Sequence, residues 1–452
     1  MRKVITYGSF DLFHEGHYRL LQRAKALGDY LIVGVTTENY DETRGKLNVI
    51  DPIMDRIENV KNTGFADEII IEDHAGQKVE DILKYHVDVF AVGSDWTGVF
   101  DYLKKYCEVV YLERTKGVSS TLKRAQNYNI VHMGMMGCGR IADRFIPEAK
   151  YVSGLDVNSV YNPHLSSAQG FADKHQLGFY TDDEEEFYDH VDAVDIATPH
   201  GTHYQYAKNA LEHGKHVLCE KPITLSRRQA EELYDLAENK GLVLMEAIKT
   251  AYLPGFIRLL SLVQTGVIGD VKDVEACFTR LTPDGLRELT DEAYGGSFTE
   301  FGSYTLLPVM KLLGTDYQSV RFESFFADNG LDTFTKVHIT YKDAMSTSKT
   351  GLKVKSDGHL VIAGTKGYIY VPAPWWKTTE FEICYEDFSK NEKVYTKMLG
   401  EGLRYELSDF VSTINGFHKG EYKLTRRESV AIAGIMEDFL AWRSGNGRET
   451  DE

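Results

Sequence analysis

The chain has 452 residues, 42% hydrophobic and 26% charged, with a formal net charge of −17. That length is more than one ordinary core and points to two or three domains of normal globular composition. The charge argues against a nucleic-acid partner, which needs a basic face, and no apolar run nears the ~18 residues of a transmembrane helix.

The N-terminus, MRKVITYGS, enters a strand at once and leaves no room for a signal peptide, so a cytoplasmic location is expected. VITYG (4–8) is the first strand. HYRLLQRAKALG (17–28) carries its apolar residues on one helical face and stops at Gly28. YLIVGVT (30–36) is continuously apolar, as a parallel strand buried on both faces should be. The alternation continues with a helix near 53–63, strand 68–71, helix 79–85, strand 89–93, helix 98–106 and strand 108–112. This is a small doubly wound α/β domain.

A polar stretch (113–129) ends that pattern. NIVHMGMMGCGRIADRFIPEA (129–149) restarts it with a strand, a glycine cluster and a helix, and alternation then runs to about residue 246. Beyond 255 the strands lengthen and alternate polar with apolar residues, at 271–281, 319–327, 335–343 and 359–373, as in a mostly antiparallel sheet. Helices at 404–416 and 426–445 close the chain. The expected architecture is α/β: a Rossmann-like domain over 1–126, a dinucleotide-binding Rossmann domain over 129–250, and an α+β lobe with a mostly antiparallel sheet over 251–452. The five cysteines, 107, 138, 219, 277 and 384, are widely spaced and suggest neither disulfides nor zinc.

TYGSFDLFHEGH (6–17) places His14 and His17 at a strand-to-helix turn. No third Cys, His or carboxylate stands at ligand spacing, so no metal site is expected. The carboxyl end of a strand in an open α/β sheet is instead where ligands bind. Gly16 permits close backbone approach, and a helix N-terminus offers N–H groups to a phosphate. Two imidazoles there suit stabilisation of a phosphoryl-transfer transition state.

The stretch resembles the HxGH signature of nucleotidyltransferases, in the version of the glycerol-3-phosphate cytidylyltransferase family. RTKGVSST (114–121) is similar to that family's second signature, and the resemblance spans residues 1–125. It implies a HxGH nucleotidyltransferase domain in which His14 and His17 stabilise the transferring phosphoryl group. Ser9, Phe10, Glu15, Gly16, Lys46 and Asp95 would contact CTP. Arg114, Thr115, Gly117, Ser119, Ser120 and Thr121 would clamp its triphosphate, with Lys46 and Arg114 counted as catalytic. Arg44, Arg56 and Lys78 would face a polyol phosphate, or else be solvated surface. Attack on the α-phosphorus of CTP, accompanied by Mg²⁺, would release pyrophosphate. ATP in place of CTP is the competing nucleotide.

In GCGRIA, Gly137 and Gly139 follow a strand and open a helix, with Ala142 in the third slot; this reads as a dinucleotide-binding turn including Arg140 and Ile141. The next strand ends at Asn162, which is neutral, so NAD and NADP both remain open; Arg140 and His164 are candidates for a 2′-phosphate. Further strands end at Thr198-Pro199-His200 and at Glu220-Lys221-Pro222. The run VDAVDIATPHGTHYQYAKNALEHGKHVLCEKP and the later GGSFTEFGSY (295–304) resemble the Gfo/Idh/MocA oxidoreductase family. That resemblance implies hydride transfer between NAD or NADP and a small keto or polyol compound. Lys221 would hold the reacting oxygen and move its proton. Tyr304, in a slot usually held by histidine, would be its acid/base partner. Thr198, His200, His203, Glu220 and Glu246 would line the cleft; for His203 a helix-start cap or surface role competes.

Two sites on one chain suggest consecutive steps: a reductase making a polyol phosphate, and a transferase activating it for a teichoic-acid-like or capsular polymer. The alternative keeps the transferase and reduces the rest to a silent binding or oligomerisation module. Both families commonly dimerise, so a homo-oligomer is expected.

Overall fold

The computed structural model describes residues 1–452 except 12, 14, 38–50, 75, 114–129, 153, 417–422 and 447–452. The chain forms two compact units, Met1–Tyr128 and Asn129–Gly416, the second taking in the chain from Lys423 onward.

The first unit carries β1 (Lys3–Gly8), α1 (Glu15–Lys25), β2 (Tyr30–Thr36), α2 (Ile53–Asn62), β3 (Glu68–Glu72), α3 (Gln77–Tyr85), β4 (Val89–Gly93) and β5 (Glu108–Leu112). Its sheet is parallel throughout, in the order β3-β2-β1-β4-β5. The order reverses between β1 and β4, so the carboxyl end of β1 borders the crevice where open sheets bind ligands. The helix expected over 98–106 is replaced by two single turns of 3₁₀-helix, Ser94–Trp96 and Asp101–Lys105. Gly98, at φ +86°, separates them and denies the segment continuous α geometry. Phe90, Phe100 and Leu103 fill the space beneath.

The second unit opens with a parallel six-stranded sheet. Its elements are β6 (Val131–Met136), α4 (Arg140–Ala149), β7 (Leu155–Tyr161), α5 (Leu165–His175), β8 (Phe179–Thr181), α6 (Glu184–Tyr188), β9 (Ala193–Ile196), α7 (His203–Glu212), β10 (His216–Glu220), α8 (Arg227–Lys240) and β11 (Leu244–Ala247). The strand order β11-β10-β9-β6-β7-β8 places the switch point between β6 and β9.

There follow α9 (Pro254–Gln264), β12 (Val271–Thr279), α10 (Arg287–Thr290), α11 (Ser297–Leu313) and β13 (Ser319–Phe326), then β14 (Asp332–Thr340), β15 (Met345–Gly351), β16 (Leu360–Gly364) and β17 (Tyr368–Val371). Strands β18 (Glu380–Cys384) and β19 (Glu392–Tyr395) and helices α12 (Leu403–Ile414) and α13 (Arg426–Asn446) complete the chain. The eight-stranded sheet runs β13-β14-β15-β12-β16-β17-β18-β19 and is antiparallel except for the β12–β15 pair. The strand expected over 359–373 is two strands: β16 and β17 form a hairpin closed by a Gly367 carbonyl that accepts from Gly364 N–H at 2.9 Å.

Helix α11 packs on β12 and β15. Its start is fixed by the fully buried Asp332, which accepts from Phe298 N–H at 2.8 Å, Ser297 Oγ at 2.7 Å and Thr335 Oγ1 at 2.8 Å. Burial and this capping role explain why a carboxylate sits at the first position of a core strand. Among the described residues no helix is long and apolar enough to cross a membrane.

Candidate active sites

In the first unit, Ser9 and Phe10 follow β1 directly. Phe10 is fully buried at φ +51°, and its ring meets that of His17 edge-on at 5.6 Å. The Phe13 ring lies 5.5 Å from His17 as well. The imidazole thus stands in the first turn of α1 against two aromatic rings. Phe10, expected to touch nucleotide, instead packs beneath the turn because its left-handed backbone swings the ring into the core. Glu15 is exposed and pairs with Arg19 one turn on, at 2.7 Å. Gly16 lies inside the same turn.

Arg56 is fully buried, which overturns both expectations for it. Its guanidinium donates to the carbonyls of Asp51 at 2.7 Å, Ser9 at 2.8 Å and Thr36 at 2.6 Å. It ties the ends of β1 and β2 together, and so supports the turn rather than a substrate. Lys78 is not solvated surface either. It lines a small pocket of about 50 Å³ with Ser9, Phe90, Trp96 and Phe100, pairs with Glu72, and lies over the Tyr7 ring at 4.5 Å. Tyr7 donates to Asp81 at 2.8 Å, and burial raises the Asp81 carboxyl above its ordinary range. Asp95 falls in the Ser94–Trp96 turn. His14, Arg44, Lys46, Arg114, Thr115, Gly117, Ser119, Ser120 and Thr121 lie outside the described residues.

The second unit contains a cavity of about 1150 Å³, lined on one side by the turn after β6 and on the other by residues of β12, α11 and Trp376. Gly137, Gly139, Arg140, Ile141, Asn162, Thr198, His200, His203, Glu220 and Lys221 all line it. Gly137 has φ +105°, and a Cβ there would come within 2.5 Å of the Ala197 carbonyl. The carboxyl ends of β6 and β9 touch at this point. A Cβ on Gly139 would meet nothing within 4 Å, so the cavity is open directly in front of the N-terminus of α4. Room plus unpaired first-turn N–H groups fits the pyrophosphate of a dinucleotide.

Arg140, a candidate for a 2′-phosphate, keeps most of its side chain exposed in the cavity. It pairs at 2.8 Å with Glu288, which also takes Arg280 at 3.1 Å. Burial alone would raise Glu288, but the two guanidinium groups win and hold it below the usual range. Asn162 accepts from His164 N–H at 3.0 Å, and no carboxylate takes its place at the end of β7.

Lys221 is 9% exposed, and its Nζ donates to the Glu300 carbonyl at 3.1 Å, with Glu300 Oε1 at 3.6 Å. The Tyr304 ring centre is 5.7 Å from the same ammonium. His200 Nε2 lies 3.8 Å from Glu300 Oε2, and burial, reinforced by the Lys221 charge, pushes this imidazole well below its usual pKa. Glu300 therefore joins Lys221 to His200. The sequence places Glu300 in the GGSFTEFGSY stretch, four residues before Tyr304, but the motif assigns it no role.

His203 is neither a cap nor a surface residue. Fully buried, it reaches the Pro222 carbonyl through Nδ1 at 2.8 Å and the Thr198 carbonyl through Nε2 at 3.0 Å, tying the ends of β9 and β10 together. Glu246 does not line the cavity. It lies behind the Lys221–Pro222 turn and accepts from Ile223 N–H at 3.1 Å; burial pushes its carboxyl up to about 7.

Comparison with known proteins divides along the same line. The cytidylyltransferase-like family matches residues 5–132, the NAD-binding Rossmann fold of the Gfo/Idh/MocA oxidoreductase family residues 131–248, and the Gfo/Idh/MocA C-terminal domain residues 256–370. Glycerol-3-phosphate cytidylyltransferase of Bacillus spizizenii is 49% identical over 121 residues, which is 27% of this chain and 93% of that protein. Scyllo-inositol 2-dehydrogenase (NADP(+)) of Bacillus subtilis is 28% identical over 327 residues, 68% of this chain and 96% of the relative. Among solved structures, a 3-ketoreductase from Actinomadura kijaniata in complex with NADP and TDP-benzene shares the fold at a TM-score of 0.59 and 22% identity, covering 68% of this chain and 96% of that one.

Proposed function

The chain belongs to the cytidylyltransferase-like family through its first unit and to the Gfo/Idh/MocA oxidoreductase family through its second, and from that premise we propose a bifunctional enzyme of one biosynthetic route. The first unit transfers CMP from CTP, with Mg²⁺, to a polyol phosphate such as glycerol 3-phosphate. A phosphate oxygen of the acceptor bonds to the α-phosphorus of CTP as the bond to pyrophosphate breaks. His17, packed against Phe10 and Phe13 in the first turn of α1, donates to the phosphoryl oxygens together with His14. Lys46 and the Arg114–Thr121 segment hold the triphosphate, and Lys78, with Arg44, receives the acceptor. Arg56 acts as a positioning residue through the carbonyls it gathers.

The second unit interconverts a carbinol and a carbonyl in a small keto or polyol compound of the same route. A bound nicotinamide supplies the hydride chemistry. The Gly137–Gly139 turn and the N-terminus of α4 hold its pyrophosphate. Lys221 binds the reacting oxygen and moves its proton, Glu300 holds Lys221 in place, and Tyr304 closes the other side. Cell-surface polymer synthesis is the natural use of a CDP-polyol made in this way.

The observation that carries the reading is the Lys221–Glu300 pair facing an open glycine turn across one cavity. It also weighs against a silent second module, which would have no use for a nearly buried ammonium aimed into the cavity. The test is incubation of the chain with CTP, Mg²⁺, NADH or NADPH and a panel of polyol and keto phosphates, with products identified by mass. A CDP-polyol together with nicotinamide turnover is expected. A chain that prefers ATP, or that binds no nicotinamide, sinks the corresponding half.

A further inference from the structure

The cavity of the second unit reverses the charge of the chain around it. Acidic residues outnumber basic ones by 68 to 51 in the whole sequence, yet eight lysines and arginines line the cavity against four carboxylates. Arg140 and Lys174 stand on the side of the glycine turn, where a cofactor's own phosphates account for them. Lys249, Arg280, Arg287 and Lys377 come from the opposite, second-lobe side. Of these, Arg280 is paired with Glu288 at 3.1 Å and Lys377 with Glu401 at 3.0 Å, while Arg287 has no carboxylate at ion-pair distance among the described residues.

The same wall carries a stack of three rings. Phe278 lies parallel to Trp376 at 3.6 Å and 9°, and parallel to Phe301 at 4.2 Å and 11°. Trp376 and Phe278 remain partly exposed, and both line the cavity. A polyol phosphate has hydroxyls and one charged group but no flat face to set against such a platform. A nucleotide ester has both a base for the rings and a diphosphate for the cations.

Building on the oxidoreductase reading above, we propose that the second unit acts on a nucleotide-linked substrate: the cytidine diphosphate ester of the polyol made by the first unit, or its keto form. Oxidoreduction then follows activation instead of preceding it. In the oxidative direction the carbinol C–H bond breaks with its hydride going to the nicotinamide, the hydroxyl proton leaves through Lys221, and C=O forms. The diphosphate ester is untouched. The reverse direction runs the same bonds backwards.

The test combines binding and turnover in the full-length chain. Calorimetric titration with CDP-glycerol should show two sites per chain, one in each unit. Trp376→Ala should remove or weaken one of them about 5- to 150-fold, as expected for losing one base stack, and Phe278→Ala, which removes the ring that supports Trp376, should weaken the same site. Trp376→Phe, which keeps a π-face, should restore it, and NAD(P)H binding by the second unit serves as the folding control. CDP-glycerol should also exceed glycerol 3-phosphate at least tenfold in kcat/KM for nicotinamide reduction. A single CDP-glycerol site in the wild type, or glycerol 3-phosphate turned over as well as its CDP ester, overturns the proposal. NAD(P)H binding without a second CDP-glycerol site overturns this proposal alone, whereas two CDP-glycerol sites in a chain that binds no NAD(P)H overturn the oxidoreductase reading and the substrate assignment with it.

Discussion

Gly137 and Gly139 stand two residues apart in the same turn, yet their alanine variants should behave differently. At Gly137 the backbone has φ +105°, and a Cβ would lie 2.5 Å from the Ala197 carbonyl oxygen and 3.0 Å from its carbon. The backbone strain costs about 1–3 kcal/mol, and forcing β6 and β9 apart adds about 1–3 kcal/mol more. Gly137→Ala should therefore destabilise the second unit by about 2–6 kcal/mol. At Gly139 the backbone has φ −86° and no atom lies within 4 Å of the added Cβ. Gly139→Ala should fold at least as well as the parent, with a gain of about 0.4–1 kcal/mol from a stiffer unfolded chain. Its methyl group, however, occupies the space assigned to the pyrophosphate, so NAD(P)H affinity should drop at least tenfold. Urea unfolding and NADPH fluorescence titration on the same preparations separate the two effects. A stable Gly137→Ala variant, or a Gly139→Ala variant that binds NAD(P)H normally, would refute this account of the turn.

His17→Ala should lower pyrophosphate release by at least the ~10²–10³-fold typical of losing one transition-state donor, while NAD(P)H binding stays unchanged; loss of both in a folded variant would show that the units depend on each other. Glu246→Gln probes a titration. Burial, and to a lesser degree Glu220, raises this carboxyl from 4.5 to about 7 in the folded state. The folded protein thus holds a proton that the unfolded chain releases, so this contribution is complete below the unfolded value and fades as pH rises through about 7, by up to about 3 kcal/mol. The variant should flatten the pH dependence of urea midpoints between roughly pH 5 and 8, and an unchanged slope would count against the assignment. Asp332→Ala removes the acceptor that fixes the start of α11 and stands 3.7 Å from Arg443. It should cost about 3–5 kcal/mol and, by loosening the helix that carries Glu300 and Tyr304, reduce oxidoreductase turnover; calorimetric unfolding with wild-type stability would contradict the capping role.

The parallel sheets were legible because buried strands such as YLIVGVT and VFAVG are continuously apolar and fall at regular spacing. The helix expected over 98–106 failed because Gly98 breaks a segment too short to recover. The strand expected over 359–373 failed because it takes in Gly364-Thr365-Lys366-Gly367, a polar turn between two apolar runs. At the sites, motif positions located the turns but could not tell contact from support. Arg56 and His203 are polar residues at ligand-binding edges, yet both spend their donors on backbone carbonyls that lie far away in sequence. Phe10 faces the core because of a single backbone angle. The aromatic stack was hidden because Phe278, Phe301 and Trp376 come from three separate segments, each reading as ordinary core.

The last helices complete a structure begun much earlier. Helix α12 packs on α4, with Arg404 gripping Glu148 at 2.7 and 3.0 Å, and α13 sends Val430 and Ala433 into the core formed by α7, α8 and β10. On the ribosome, the cofactor-binding half therefore emerges roughly ten to thirty seconds before its covering helices, at ordinary elongation rates. During that interval its apolar seam faces solvent or a chaperone, while the first unit already has every strand of its own sheet. A message cut short after residue 400 would accordingly yield a transferase tethered to a sticky, unfinished partner, a species that protein quality control should recognise by its exposed core.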